Sequence, residues 1–149
     1  MEIIQTDSEL LFFFVIVILV FYTVQVFYLL TASKTLRAIR PEFRQVRPGQ
    51  VWLSMIPIFH LIWPFIINPK ISASIRTEME ARGLDEAGEY GKSLGTIYPG
   101  LRVAGNIPTL GAIFSLAYLV IFIIWWVKLG GYRSRLMNSP GYGTELLDN

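Results

Sequence analysis

The chain has no cysteine and one histidine, His60. Without thiols there is no disulfide framework and no thiolate metal site, and a lone imidazole cannot assemble a zinc or iron centre. Acids are absent from a particular place: none falls in any of the four apolar stretches. No paired carboxylates and no nucleophile with a base at recognisable spacing stand there to do catalysis. The GKS at residues 91–93 looks like part of a phosphate loop, but Glu86 occupies the place of that pattern's first glycine. No catalytic residue, cofactor or metal is expected. Charge is also scarce, a net +2, and the cations flank apolar segments instead of forming one nucleic-acid face. Phospholipid headgroups, not nucleic acid, are their expected partners.

What the chain does have is apolar sequence, 53% of its residues, gathered into runs. Leu10 to Leu30 reads LLFFFVIVILVFYTVQVFYLL, without a charge, and about 20 such residues cross about 30 Å of hydrocarbon as a helix. The preceding MEIIQTDSE holds acids and no base, and the run is longer than a signal-peptide core, so a retained span over about 10–31 is expected. A second clear span, TLGAIFSLAYLVIFIIWWV, covers about 109–129. Trp125, Trp126 and Lys128 read as headgroup-level anchors at its end. Gly111 and Ser115, four apart, form a small-residue face that a neighbouring helix can approach.

Two weaker segments lie between. Residues 93–107 hold Pro99, expected to break a helix there, three glycines and Arg102. An arginine at mid-depth costs several kcal/mol unless it reaches phosphates or a wet cavity. Both options are open: the first uses the turn at Asn106, Ile107 and Pro108. Residues 51–67 carry Pro57 and Pro64, each of which removes a backbone donor and disfavours a straight helix. Trp52 and Trp63, about 17 Å apart on a helix, are too close to mark opposite interfaces.

Cation counting separates the topologies. Five basic residues follow the first span, from Lys34 to Arg47. If residues 51–67 dip in and return, 12 of the 13 cations share one side, Arg102 excepted. A proline-kinked crossing is the competing arrangement. Beyond it, Asn68 and Pro69 suit the start of a short amphipathic helix over about 69–82, with Ile71, Ile75 and Met79 as its stripe. Arg76 with Glu80, and Glu78 with Arg82, are spaced to pair on its exposed face. Residues 84–92 read as a flexible connector, and 133–149 as a polar tail.

The run RPGQVWLSMIPIFHLIWPFIINPKISASIR, residues 47–76, resembles the central segment of small multi-helix bacterial membrane proteins of unknown function. The resemblance implies a helical fold in the bacterial inner membrane and carries no catalytic residue. The expectation is an all-α integral membrane protein with a single helical domain and four apolar segments, three or four of them crossing. Its N-terminus lies outside and its basic loops are cytoplasmic. Three functions are compatible: a non-enzymatic module that self-assembles or binds a membrane-protein partner, an oligomeric pore lined by His60, Arg102 and the broken second segment, or, least supported, a lipid-acting enzyme.

Overall fold

The computed structural model describes residues 2–84 and 88–139, with side chains from Ser8 onward. Within them the chain is helical and has no strand: α1 spans Glu2–Arg37, α2 Pro57–Ala81, α3 Lys92–Ala104 and α4 Gly111–Met137, with 3-10 segments at Pro41–Phe43 and Pro48–Met55. α1, α2 and α4 are long and apolar enough to cross a membrane. At about 1.5 Å per residue α3 reaches only about 20 Å, short of a full crossing by itself.

Side-chain contacts fix the helix directions. Phe21, Tyr28 and Arg40 meet His60, Asn68 and Glu78 in that order, so α2 runs parallel to α1. Tyr28, Thr31 and Thr35 meet Trp125, Trp126 and Leu129, so α4 does too. α3 runs the other way, with Gly95 beside Asn68 and Arg102 beside Phe21.

Parallel neighbours need a return path, and residues 38–56 provide it along α2. Arg40 bonds Glu78, Gln45 bonds Ser74, Trp63 bonds the Gln50 carbonyl, and His60 bonds the Ser54 carbonyl. These pairs zip a hairpin that reverses at Ile56 and Pro57. Ile56 is extended, φ −77° and ψ 125°, as a residue before proline must be. Pro57 then opens α2 at the position where its missing N–H is no loss. Both ends of this hairpin lie at the C-terminal end of α1, and its tip reaches the level of Phe21. Apart from Arg102, every Lys and Arg lies on a segment at that same end, called here the basic end.

Three expectations need correction. Pro64 does not break the second segment and Pro99 does not break α3, and Pro69 does not start a helix; all three sit inside continuous helices. The proposed helix over 69–82 is therefore the second half of α2. Its stripe explains why the helix survives: Ile67, Ile71, Ile75 and Met79 are 0–3% exposed, and their burial at about 25 cal/mol per Å2 offsets the local cost of about 3 kcal/mol per proline. Glu78 is not on an exposed face either. It is fully buried, taking the Arg40 backbone N–H at 3.0 Å and Nε at 3.1 Å, and Arg82 Nε at 2.5 Å. Arg76 does pair with Glu80 on the surface, at 2.6 Å. Finally, Arg133 and Arg135 belong to α4, which runs to Met137, and not to a tail. Asp85 to Ala87 of the expected connector, and residues 140–149, fall outside the described residues.

The core sits toward the basic end. Leu36, Ile39, Ile75, Met79, Trp125, Leu129 and Leu136 have at most 0% exposure there, whereas every residue of α1 from Leu10 to Val20 is exposed. An exposed apolar helix of this length fits lipid, which offers no penalty to such a face.

Two results are expected. Glu78→Ala leaves two guanidinium groups facing an empty buried site and lowers stability by about 3 to 5 kcal/mol in denaturant titrations. With no native cysteine to remove, single cysteines at Arg47 and Lys70 react with an impermeant thiol reagent from one side of the membrane, and a cysteine at Ser8 from the other. Opposite-sided labelling of the first two would exclude the hairpin as a re-entrant element.

Candidate functional site

The site is built in two layers, of which the upper one is structural. Tyr28 of α1 donates its hydroxyl to Asn68 Oδ1 of α2 at 3.1 Å and receives the indole N–H of Trp125 of α4 at 3.2 Å. The Tyr98 hydroxyl of α3 lies 3.3 Å from that of Tyr28. Because the Tyr28 proton goes to Asn68, Tyr98 is the donor of that pair. Asn68 Nδ2 donates to the Gly95 carbonyl at 2.7 Å. All these side chains are at least 95% buried, and each polar group in the set has a partner, as a dry interior requires. Two glycines make room for the indole. A Cβ on Gly91, where φ is +75°, would run into the Trp125 ring, and one on Gly95 would lie 2.9 Å from Asn68 Cβ.

Below this knot, away from the basic end, Arg102 of α3 projects between α1, α2 and α4. Its guanidinium carbon stands 5.2 Å from the Phe21 ring centre and 5.8 Å from that of Tyr118. Both distances are within cation–π range. A cavity of about 270 Å3 opens beside it, lined by Arg102, His60, Gln25, Tyr22, Ser54 and the hairpin tip at Pro57. A small enclosed space behind it, also lined by His60, Gln25 and Arg102, ends against Tyr98, Pro99 and Tyr118.

His60 Nδ1 lies 2.8 Å from the Ser54 carbonyl. A carbonyl only accepts, so Nδ1 carries a proton. The carbonyl is on the descending limb of the hairpin. His60 Nε2 is buried and has no hydrogen-bond partner among the described residues. The ring also meets Phe21 edge to face at 5.8 Å.

The structure thus brings His60 and Arg102 to one cavity. Gly111 and Ser115 both lie against Gly105 across the turn between α3 and α4; Gly111 is buried there and Ser115 is exposed. Trp52 and Trp63 sit half-buried on the two limbs of the hairpin, and Trp126 bonds Thr31 Oγ1 at 2.9 Å. Trp125, also expected at the headgroup level, is placed otherwise. It is 0% exposed and lies at the centre of the core, because Tyr28 satisfies its N–H there. Sequence reasoning missed Gln25, Tyr118, Tyr28 and Asn68. A signal existed for the first: Gln25 is the only amide in its apolar run.

Chemically, the cavity offers a permanent cation, an imidazole and an amide, with no acid among the described residues that line it. Among the described residues no group of three His, Asp or Glu is placed to hold a metal. The arrangement is suited to accepting an anionic or acidic group.

Tyr28→Phe removes an acceptor for Trp125 and a donor for Asn68 together, so a loss of about 1 to 3 kcal/mol per orphaned group is expected. Tyr22→Phe, at an exposed position, is expected to change stability by less than about 0.5 kcal/mol; unfolding in detergent micelles compares the two. No family model, curated protein or solved structure matches this chain.

Proposed function

We propose that the protein is a non-enzymatic multi-pass membrane module that works by binding within the bilayer, with Arg102 as its recognition point. It sits in the bacterial inner membrane with the basic end in the cytoplasm, the orientation that short Lys- and Arg-rich loops prefer. The observation that carries the reading is the placement of Arg102. It lies at the level of Phe21, near the middle of the apolar run of α1, against aromatic faces instead of a carboxylate.

A cation held there is stabilised most by an acid brought to the same depth. The chain's apolar segments contain no acid, so a second copy has none to offer at that level. The partner is then a transmembrane helix of another protein with a Glu or Asp near its midpoint, seated between the exposed faces of α1 and the start of α2. The buried knot also bears on the pore reading. The small enclosed space behind Arg102 ends against Tyr98, which the Tyr28 hydroxyl holds in place, and this favours binding over conduction.

A synthetic polyleucine transmembrane peptide carrying one central Glu tests this in vesicles by energy transfer to the labelled protein. Association at least tenfold above that of the all-Leu peptide is expected, and Arg102→Ala abolishes the difference, which corresponds to about 1.4 kcal/mol. Equal association of the two peptides would refute partner recognition at Arg102. Anion flux that disappears in Arg102→Ala would replace it with the pore.

A further inference from the structure

A second cavity lies at the basic end, on the opposite side of the Asn68 knot from Arg102. It measures about 450 Å3 and is lined by Gln45, Lys70, Ser72, Arg76, Glu89 and Lys92 among others. Its walls come from three separate parts of the chain, each pinned. The turn at Gln45 is tied to α2 by its backbone N–H to Ser74 Oγ at 2.8 Å. The start of α3 is tied to α2 by Asn68 Nδ2 on the Gly95 carbonyl at 2.7 Å. Lys70 and Lys92 lie just beyond that bond toward the basic end, two and three residues away along α2 and α3.

The polar groups of this cavity are unevenly used. Arg76 pairs with Glu80 at 2.6 Å, and the Glu89 carboxylate takes the Ser93 hydroxyl. The ammonium groups of Lys70 and Lys92 have no hydrogen-bond or ion-pair partner among the described residues. Ser72 is 2% exposed, and its Oγ is buried without a partner among the described residues. A serine or threonine inside a helix ordinarily donates back to the carbonyl four residues earlier. Ser74, Thr77 and Thr96 do so, at 2.8, 3.1 and 2.9 Å. Ser72 does not.

We propose that this cavity is a phosphate site, placed to hold the headgroup of an anionic phospholipid from the leaflet at the basic end. The donor set specifies the chemistry. Two ammonium groups, a guanidinium, a serine hydroxyl and the Gln45 amide approach from three elements, which matches a tetrahedral oxyanion with several acceptor oxygens better than a two-oxygen carboxylate. Among the described residues, the charged groups lining the cavity are Lys70, Arg76 and Lys92 against Glu89, with Arg76 paired to Glu80, so cations predominate there. Size is compatible with this: a groove of about 450 Å3 admits a phosphate group. Depth selects the lipid as the source, because the site begins where the apolar run of α2 ends, at Asn68. The inference does not depend on the partner assigned to Arg102.

The test uses the full chain in nanodiscs. Phosphatidylglycerol mixed into phosphatidylcholine is expected to raise the thermal unfolding midpoint by several degrees, with saturable dependence on its fraction. Lys70→Gln with Lys92→Gln removes that gain, while Lys34→Gln with Lys128→Gln, the same charge loss at exposed positions elsewhere on the basic end, retains it. Ser72→Ala weakens the apparent affinity by about tenfold. In discs of phosphatidylcholine alone, a midpoint raised by inorganic phosphate and dependent on the same lysines supports the phosphate chemistry and identifies a soluble source. An equal loss in both double-lysine variants reduces the effect to diffuse attraction and overturns the site, as does a gain indifferent to Lys70 and Lys92.

Discussion

The hydrogen-bonded knot of Tyr28, Asn68, Tyr98 and Trp125 is the constraint from which the remaining architecture can be derived. Each of the four helices contributes one side chain to it, and each side chain alone would be a liability in an apolar interior, where an unpaired polar group costs more than its bond returns in water. Together they satisfy one another and so specify which helix lies where and at what height. Apolar side chains cannot do this within a bilayer, since lipid competes for every methyl group on equal terms. Gly91 and Gly95 serve the same end by letting a tryptophan reach the centre.

Once the knot sets α2 and α4 parallel to α1, the rest of the chain is obliged to return twice. The first return is the 3-10 limb that zips onto α2 down to Pro57, the second is α3. Both leave irregular backbone or a proline at depth, and both are shielded by protein: Ser54 and Val51 are buried on the first limb, Tyr98 and Pro99 on the second. Irregular backbone is tolerated at such depth under that condition. The same returns carry the cations back to one end, with the buried Glu78 bridging Arg40 and Arg82 as the clasp.

Much of this was readable in the residues, and what was not has a common cause. The two long spans followed from hydropathy alone, and the stripe of Ile71, Ile75 and Met79 from its spacing. The turn at Pro57 followed from proline chemistry, but the same chemistry overstated Pro64 and Pro99 as breakers and Pro69 as a helix start. A proline's local penalty is fixed by its ring, whereas the packing that outweighs it depends on residues far away in the chain. Trp125 misled for a related reason. Beside Trp126 and Lys128 it has the pattern of a headgroup belt, and only the arrival of Tyr28 from α1 makes burial of its N–H affordable. His60 and Arg102 were both visible as polar residues in oil; that they share a cavity depends on α2 and α3 being antiparallel, a relation no local pattern encodes.

The bond between Tyr28 and Trp125 joins residues 97 positions apart, and this separation has a consequence for biogenesis. Chains emerge from the ribosome at about 5–20 residues per second, so α1 enters the membrane several seconds before its last tether exists. During that interval the first three helices hold an incomplete polar centre with no indole to close it. A nascent chain stalled before α4 therefore lacks the donor that completes the Tyr28 centre.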